Sequence, residues 1–461
     1  MGRSPRSVGT AAAVVAGVAM VNLDLFIVNV ALPEVGEHFA GASLASLSWV
    51  LNAYAVIFAA LLVPAGNLAD RTGARRVYLW GIAVFTAASA LCAFSPSVWA
   101  LVGARAVQAA GGALLIPASL GLLLAAAPPE RRVAAVRGWT AIGGLSAALG
   151  PAAGGLLTGA DWRWAFLVNV PVGIAVLAAG PRVLPSVPPA ERGPRPDLLG
   201  AGLLTVAVAA VALGLVKSGD WGWGSAEVIG SLAGAAVLAA GFVARSARHP
   251  APVLPLSLLR VRSFSPATFA NVLFAVAFAA MLLSAVLWCR QVWHWGPLRT
   301  GLAVAPGPLM VPLLAIGIGP VARNVGSGPV AAIGCLVFAA GIGWWYAWMD
   351  TGYAPGMLPG MILTGIGVGL VLPTLIGAAV GALPPRSFST GSAVVTMARQ
   401  LGTVLGIALL VAVLDTAGGP DDFGDGWLLI LAATAATAGS CALLRRPRTA
   451  PVSEPTPATT A

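Results

Sequence analysis

Residues Thr10 to Pro33 read TAAAVVAGVAMVNLDLFIVNVALP. A run of this length crosses a bilayer, because a hydrocarbon core of about 30 Å is spanned by roughly 20 helical residues. One acid stands within it, Asp24, and no other acidic residue falls in the interior of an apolar span of the chain. A carboxylate at that depth carries a substantial free-energy cost, so the stretch poses one question: what uses or neutralises Asp24. Hydrogen bonds from neighbours such as Asn22 or Asn29 would hold it as a structural group. A proton that comes and goes would make it a working one.

The whole chain shares the character of that stretch. Of 461 residues, 58% are hydrophobic and 9% charged, against about 25% charged in a soluble domain. An all-α polytopic membrane protein is expected. Apolar runs between charge-bearing breaks give fourteen spans, near 10–32, 47–65, 77–95, 98–126, 138–159, 164–184, 197–217, 227–244, 264–288, 299–321, 328–348, 355–382, 389–414 and 426–444. They group as six spans in 1–196, an additional pair in 197–244, six more in 264–444, and a Pro/Thr/Ala-rich tail, 445–461, whose composition predicts disorder.

A formal net charge of +10 would suggest nucleic acid in a soluble protein. With the N-terminus inside, however, most basic residues fall in cytoplasmic breaks and most acids outside, as the positive-inside rule requires. The balance reports topology, with both termini cytoplasmic, and no nucleic-acid partner is expected. Cys92, Cys289, Cys335 and Cys441 show no CxxC spacing, so neither a metal site nor a disulfide framework is indicated. No cofactor is called for either. Lys217 lacks the preceding glycine of a phosphate-cradling loop, and no cytoplasmic segment is large enough for an ATPase. One lysine among 26 basic residues is the usage of a GC-rich, bacterial genome.

Three stretches carry finer information. After the second span comes GNLADRTGARR, Gly66 to Arg76. This glycine-bounded turn sets one acid, Asp70, among Arg71, Arg75 and Arg76, with Gly73 at the second bend. Charges at helix ends can latch them in one conformation and release them in another. A counterpart between the tenth and eleventh spans, Gly319 to Gly326, keeps Arg323 and lacks the acid, as a decayed internal repeat would. The fourth span holds RAVQAAGG, Arg105 to Gly112. Arg105 and Asp24 each lie about 10 Å from the outer end of their helix at 1.5 Å per residue, so they share a level. An acid and a base at one level can exchange partners, because desolvation strengthens a carboxylate's hold on a proton and a nearby guanidinium weakens it. A static ion pair or a snorkelling arginine would occupy the same positions. The fifth span reads GGLSAALGPAAGG, Gly143 to Gly155. Here Gly150, Pro151, Gly154 and Gly155 belong to a small-residue face on which another helix can pack closely and rock.

These elements resemble signatures of the major facilitator superfamily: GxLaDrxGxrr after helix two, RxxQGxG in helix four with Ala109 in place of a glycine, and the GPxxGG face that marks exporters. Leu23 to Pro33, Asp161 to Gly173, and Arg399-Gln400-Leu401-Gly402 are similar to elements of its fourteen-helix drug:proton antiporters, a multidrug efflux family. Phe26 stands where threonine is typical. The resemblance covers nearly the whole chain and implies two six-helix halves plus two extra central helices. It also implies proton-coupled efflux, by alternating access, of hydrophobic organic compounds, antibiotics among them, by a monomer in the cytoplasmic membrane. Asp24 and Arg105 would couple to protons. A cavity between the halves would bind cargo, with Asn29, Asn52, Tyr54, Gln108, Asn271 and Arg399 as candidate lining residues. A single membrane acid argues against strong selection for dications and leaves neutral or monocationic cargo. An uptake permease of the same fold, or a polytopic membrane enzyme, remains the alternative.

Overall fold

A computed structural model describes residues 5–39, 44–186, 197–317, 325–415, 423–442 and 444. Among them every regular element is helical. The helices are α1 (Pro5–His38), α2 (Leu44–Thr72), α3 (Ala74–Ala93), α4 (Val98–Ala126), α5 (Arg132–Thr158), α6 (Trp164–Leu167), α7 (Asn169–Val183), α8 (Leu198–Trp221), α9 (Ala226–Ser246), α10 (Phe264–Leu287), α11 (Pro297–Val304), α12 (Pro306–Gly317), α13 (Ser327–Trp348), α14 (Leu358–Val380), α15 (Phe388–Asp415) and α16 (Phe423–Cys441).

Eleven stretches among the described residues are long and apolar enough to cross a membrane, fewer than the fourteen expected. Three expected spans are outside that set. The one near 138–159 lies in α5, where the side chains of residues 147, 151 and 152 are outside the described set. The one near 299–321 is divided between α11 and α12 at Ala305, which keeps helical dihedrals, and its end from 318 lies outside the described residues. The last, α16, has Asp425 in its first turn. The second-half counterpart of the charged turn (Gly319 to Gly326) falls mostly in 318–324, outside the described residues, as does the tail 445–461.

The packing scheme repeats along the chain. α1 lies against α5 and α7, α2 against α4, and α3 against α4 and α7. Downstream, α10 lies against α15 and α16, α12 against α14, and α13 against α14 and α16. Lipid tails give little hydrophobic drive between helices, so close approach through small residues has to supply the attraction. Both sets use it: a Cβ on Gly81 would meet the Gly111 carbonyl at 2.9 Å, and one on Gly341 would meet the Gly360 carbonyl at 2.8 Å. Across the two sets α2 meets α15 and α5 meets α12, with α4 beside α15 and α5 beside α14. α8 and α9 pair with each other, and α8 leans on α2 and α15. Large apolar side chains such as Leu156, Leu198, Val237 and Leu336 point outward, where a lipid-facing surface needs them.

The charged turn is tighter than its glycine spacing suggests. Residues Gly66 to Thr72 continue α2, and the reversal is confined to Gly73, whose φ of 101° lies in the region that favours glycine. Asp70 therefore rides on the last turn of a helix, not in a loop.

Candidate functional site

α1 and α4 bring Asp24 and Arg105 together with no solvent exposure on either side chain. Arg105 Nη1 donates to Asp24 Oδ2 at 2.6 Å. Asp24 Oδ1 accepts from Gln108 Nε2 at 2.8 Å and from Asn169 Nδ2 at 2.9 Å. Gln108 is one turn beyond Arg105 on α4 and accepts from Arg105 Nη1 at 2.5 Å. Its amide also donates to Ser89 Oγ on α3 at 2.8 Å. Four helices thus converge on one carboxylate. Such a network goes part of the way to the condition under which a buried ion pair is tolerable, because it satisfies the carboxylate on both oxygens.

The guanidinium is held on its other side by an aromatic face. Arg105 Cζ stands 4.2 Å from the centroid of the Tyr54 ring and 5.8 Å from that of Phe166, contacts worth about 0.5–2 kcal/mol each. Arg105 Nε reaches the Val50 carbonyl at 3.4 Å. Arg105 Nη2 and Tyr54 Oη have no partner among the described residues. Neither Asn22 nor Asn29 touches Asp24: each donates back along its own helix, to Val18 O and Leu25 O, both at 2.7 Å.

Tyr54 also forms part of the wall of a cavity between the two sets of helices, about 1310 Å³ of empty space counting its mouth. Residues of α1, α2, α4, α5, α10, α12, α14 and α15 line it. The walls are mostly apolar and aromatic, with Phe26, Phe58, Trp139 and Phe278 among them and Asn22 and Thr140 as polar members, and among the described residues Arg399 is the one charged lining side chain. Of the candidate lining residues, Tyr54 and Arg399 face the cavity and the others do not. Gln108 is spent on Asp24. Asn271 is buried against the Val395 carbonyl at 3.3 Å, Asn29 points outward, and Asn52 is half-buried away from the cavity.

At the charged turn, Asp70 spans to the other set of helices. Its two carboxylate oxygens accept from the backbone N–H groups of Ser389 at 3.1 Å and Thr390 at 2.7 Å. These are orphan donors of the first turn of α15, where a negative charge is favoured. Gly66 makes room: a Cβ there would meet the Ser389 carbonyl at 2.7 Å. Arg75 comes within 3.5 Å of the Pro181 and Leu184 carbonyls, and Arg76 is exposed. Arg71 is half-buried.

The α5 glycines divide by neighbour. A Cβ on Gly150 would lie 2.3 Å from Phe26 Cβ, and one on Gly154 3.0 Å from Val30 Cβ, so this row seats α1. Gly144 faces α12 at Pro308 and Val311. Gly155 meets nothing within 4 Å, so it is not part of a packed face here. The Pro151 side chain is outside the described set.

A family model described as the Major Facilitator Superfamily matches residues 14–407. The chain belongs to the major facilitator superfamily. Among its relatives, the tetracenomycin C resistance and export protein of Streptomyces glaucescens is 34% identical over 421 residues, covering 91% of this chain and 78% of that one. The methylenomycin A resistance protein of Streptomyces coelicolor is 32% identical over 414 residues, covering 87% and 84%. The multidrug resistance protein Stp of Mycobacterium tuberculosis is 34% identical over 405 residues, covering 86% and 74%. The structure of TETRAN, a human organic anion transporter, superimposes with a TM-score of 0.71 at 15% identity, covering 96% of this chain and all of that one, which shows the shared fold alone. This major facilitator protein is a multi-pass membrane transporter with bacterial resistance and export proteins as relatives, and not an enzyme.

Two members of the Asp24 network are not apparent from the sequence. Ser89 is a small polar residue in an apolar helix, and nothing in its surroundings singles it out. Asn169 stands in the WRWxFxxNxPxG stretch that marks the resemblance, and its polarity inside an apolar run is the signal that points to it.

Proposed function

We propose that this transporter exports apolar organic molecules across the cytoplasmic membrane in exchange for protons. On this reading it has fourteen membrane helices, with two six-helix halves flanking the α8/α9 pair and both termini in the cytoplasm. The repeated packing scheme, with the cavity at its seam, supports the two halves. Gly150 and Gly154 of the α5 GPxxGG element, seated on α1, together with the resistance and export proteins among the relatives, favour export over uptake.

Asp24 carries the proposal. It is a fully buried carboxylate whose cationic partner stacks on Tyr54, and Tyr54 is a wall of the cavity. A proton arriving at Asp24 takes the place of Arg105, and Arg105 cannot leave without disturbing the ring beneath it. Cargo in the cavity and a proton at Asp24 thereby act on one side chain from opposite faces. Asp70 holding the amino end of α15 would close one end of the seam, and its release would open it. The energy required is modest: one charge crossing ~100 mV yields ~2.3 kcal/mol, enough for roughly a 50-fold gradient of cargo.

The test is purified protein in liposomes that trap a pH dye, challenged with a panel of antibiotics and fluorescent compounds. A cargo should release protons to the side from which it is taken up. Uphill movement of cargo with no pH or voltage difference across the membrane would end the proposal.

A further inference from the structure

The cavity contains a charge that proton exchange does not use. Arg399 lines it from α15, and no hydrogen bond or ion pair among the described residues involves Arg399. Arg105 is different, since it has its own carboxylate and a ring to stack on. Asp24 is committed to Arg105, and no acid lines the cavity. A guanidinium facing apolar walls is poorly solvated and gains from any anion brought beside it. Thr396, one turn before Arg399, and Gln400, next to it in sequence, also line the cavity, so two neutral polar groups share the wall with the charge. Phe26, Tyr54, Phe58 and Phe278 line the same cavity, flat apolar surfaces suited to a ring system.

We propose that the cavity takes organic monoanions, a carboxylate or phenolate carried on an apolar ring system, with Arg399 as the group that holds the negative charge. The planar fork of an arginine matches a carboxylate with two parallel N–H donors, and the aromatic walls hold the remainder. This replaces the neutral or monocationic cargo expected from the sequence. It deepens the transport proposal and rests on it only for the cavity's being the cargo site.

The test uses three fluorescent probes that share one ring and differ in head-group charge: 1-pyrenebutyrate, its primary amide and the corresponding butylammonium. Binding to the full-length protein in detergent is read by fluorescence anisotropy at neutral pH with no gradient. Wild type should bind the carboxylate at least tenfold more tightly than the amide or the ammonium, the scale of one charge-assisted hydrogen bond. Arg399→Gln should bring the carboxylate down to the affinity of the amide and leave the amide unchanged, which also shows that the variant is folded. Arg399→Lys keeps the charge and should retain the order of preference. Equal affinity for all three probes, no binding of the carboxylate, a preference for the ammonium, or a carboxylate preference that survives Arg399→Gln would each overturn the inference. The two proposals fail separately. Carboxylate binding without proton-driven movement counts against exchange alone, whereas proton-driven movement of cations counts against the anionic cargo alone.

Discussion

Replacing Asp24 by Asn exchanges one oxygen for an amide and removes one charge. The remaining amide oxygen can still accept from Gln108 and Asn169, which now stand 2.8 and 2.9 Å from Oδ1. The new NH₂ faces the guanidinium that now lies 2.6 Å from Oδ2, donor against donor. Arg105 stays charged and fully buried, with Gln108 Oε1, the Val50 carbonyl and the Tyr54 and Phe166 rings for company. Removing one partner of a buried pair costs about 3–5 kcal/mol, and the surviving contacts set the expectation at the low end, about 3 kcal/mol. Arg105→Gln is milder, because the carboxyl it leaves can take up a proton and keep its amide neighbours; about 1–2 kcal/mol is expected. The double variant buries no charge and should return to within about 1 kcal/mol of wild type. Thermal unfolding in detergent reads this order, and a double variant whose loss is the sum of the two single losses would refute the energetic argument. In liposomes both variants lacking Asp24 should bind cargo and fail to move protons. Asp24→Asn protein that still drives cargo uphill would remove Asp24 from the mechanism.

Three further perturbations follow from the same geometry. Gly150→Ala sets a methyl 2.3 Å from Phe26 Cβ and should cost about 1–3 kcal/mol by overpacking. Gly155→Ala meets nothing within 4 Å and should change stability by less than about 0.5 kcal/mol; melting temperatures of the two variants check the contrast, and equal losses would contradict it. Asp70→Ala strips the acceptor from the Ser389 and Thr390 amides, a loss of about 0.5–2 kcal/mol by analogy with helix caps. Hydrogen exchange should quicken at those amides, and unchanged exchange would show that the contact does not hold the end of α15. Asp197 offers a test by pH. Burial opposes its ionisation, but the Gly200 N–H and the Arg245 guanidinium outweigh burial and hold its carboxyl below the usual carboxylate range. The pair's contribution is thus complete above that range and is lost as pH falls through the lowered value. Wild type should lose melting temperature over that acid range more steeply than Asp197→Asn, and parallel slopes would refute the assignment.

The legible parts are those that depend on counting along one helix. Asp24 and Arg105 share a level because the rise per residue is constant, and Gln108 follows Arg105 by one turn, so its place beside the pair needs no tertiary knowledge. Asn169 reaches the same carboxylate, and Ser89 braces Gln108 and Asn169, only because α3 and α7 pack where they do, and no local pattern dictates that. The same limit explains the cavity. Tyr54 and Arg399 line it, whereas Asn29, Asn52 and Asn271 do not, since polarity within a span does not say which neighbour a side chain faces. At the charged turn the glycines mark the reversal, yet Asp70 finds its partners on a helix more than three hundred residues away. At Pro306 the tenth expected span keeps its helical course, since Ala305 has helical dihedrals and the ladder continues from the Ala305 carbonyl to the Leu309 N–H.

Charge sets a limit on how the proton and the cargo can be exchanged. Asp24, Arg105 and Arg399 stand in or beside the cavity with a combined charge of one positive unit. A proton on Asp24 leaves both guanidinium groups unopposed, so the core becomes more positive and holds an anion more firmly. Direct competition, in which a proton displaces cargo from a shared carboxylate, suits a cation and works the wrong way here. Exchange of a proton for an anion must therefore act through shape. Two elements are placed to transmit it. Tyr54 lies under Arg105 at 4.2 Å and forms part of the cavity wall, so a guanidinium released from Asp24 presses on the wall itself. α15 carries Arg399 ten residues, about 15 Å, beyond the Ser389 amide that Asp70 holds, so opening that end of the seam carries the anion's partner with it. The proton and the anion then share no atom. On this proposal they are coupled only while the Tyr54 contact and the hold of Asp70 on the first turn of α15 stay stiff enough to pass a displacement from one to the other.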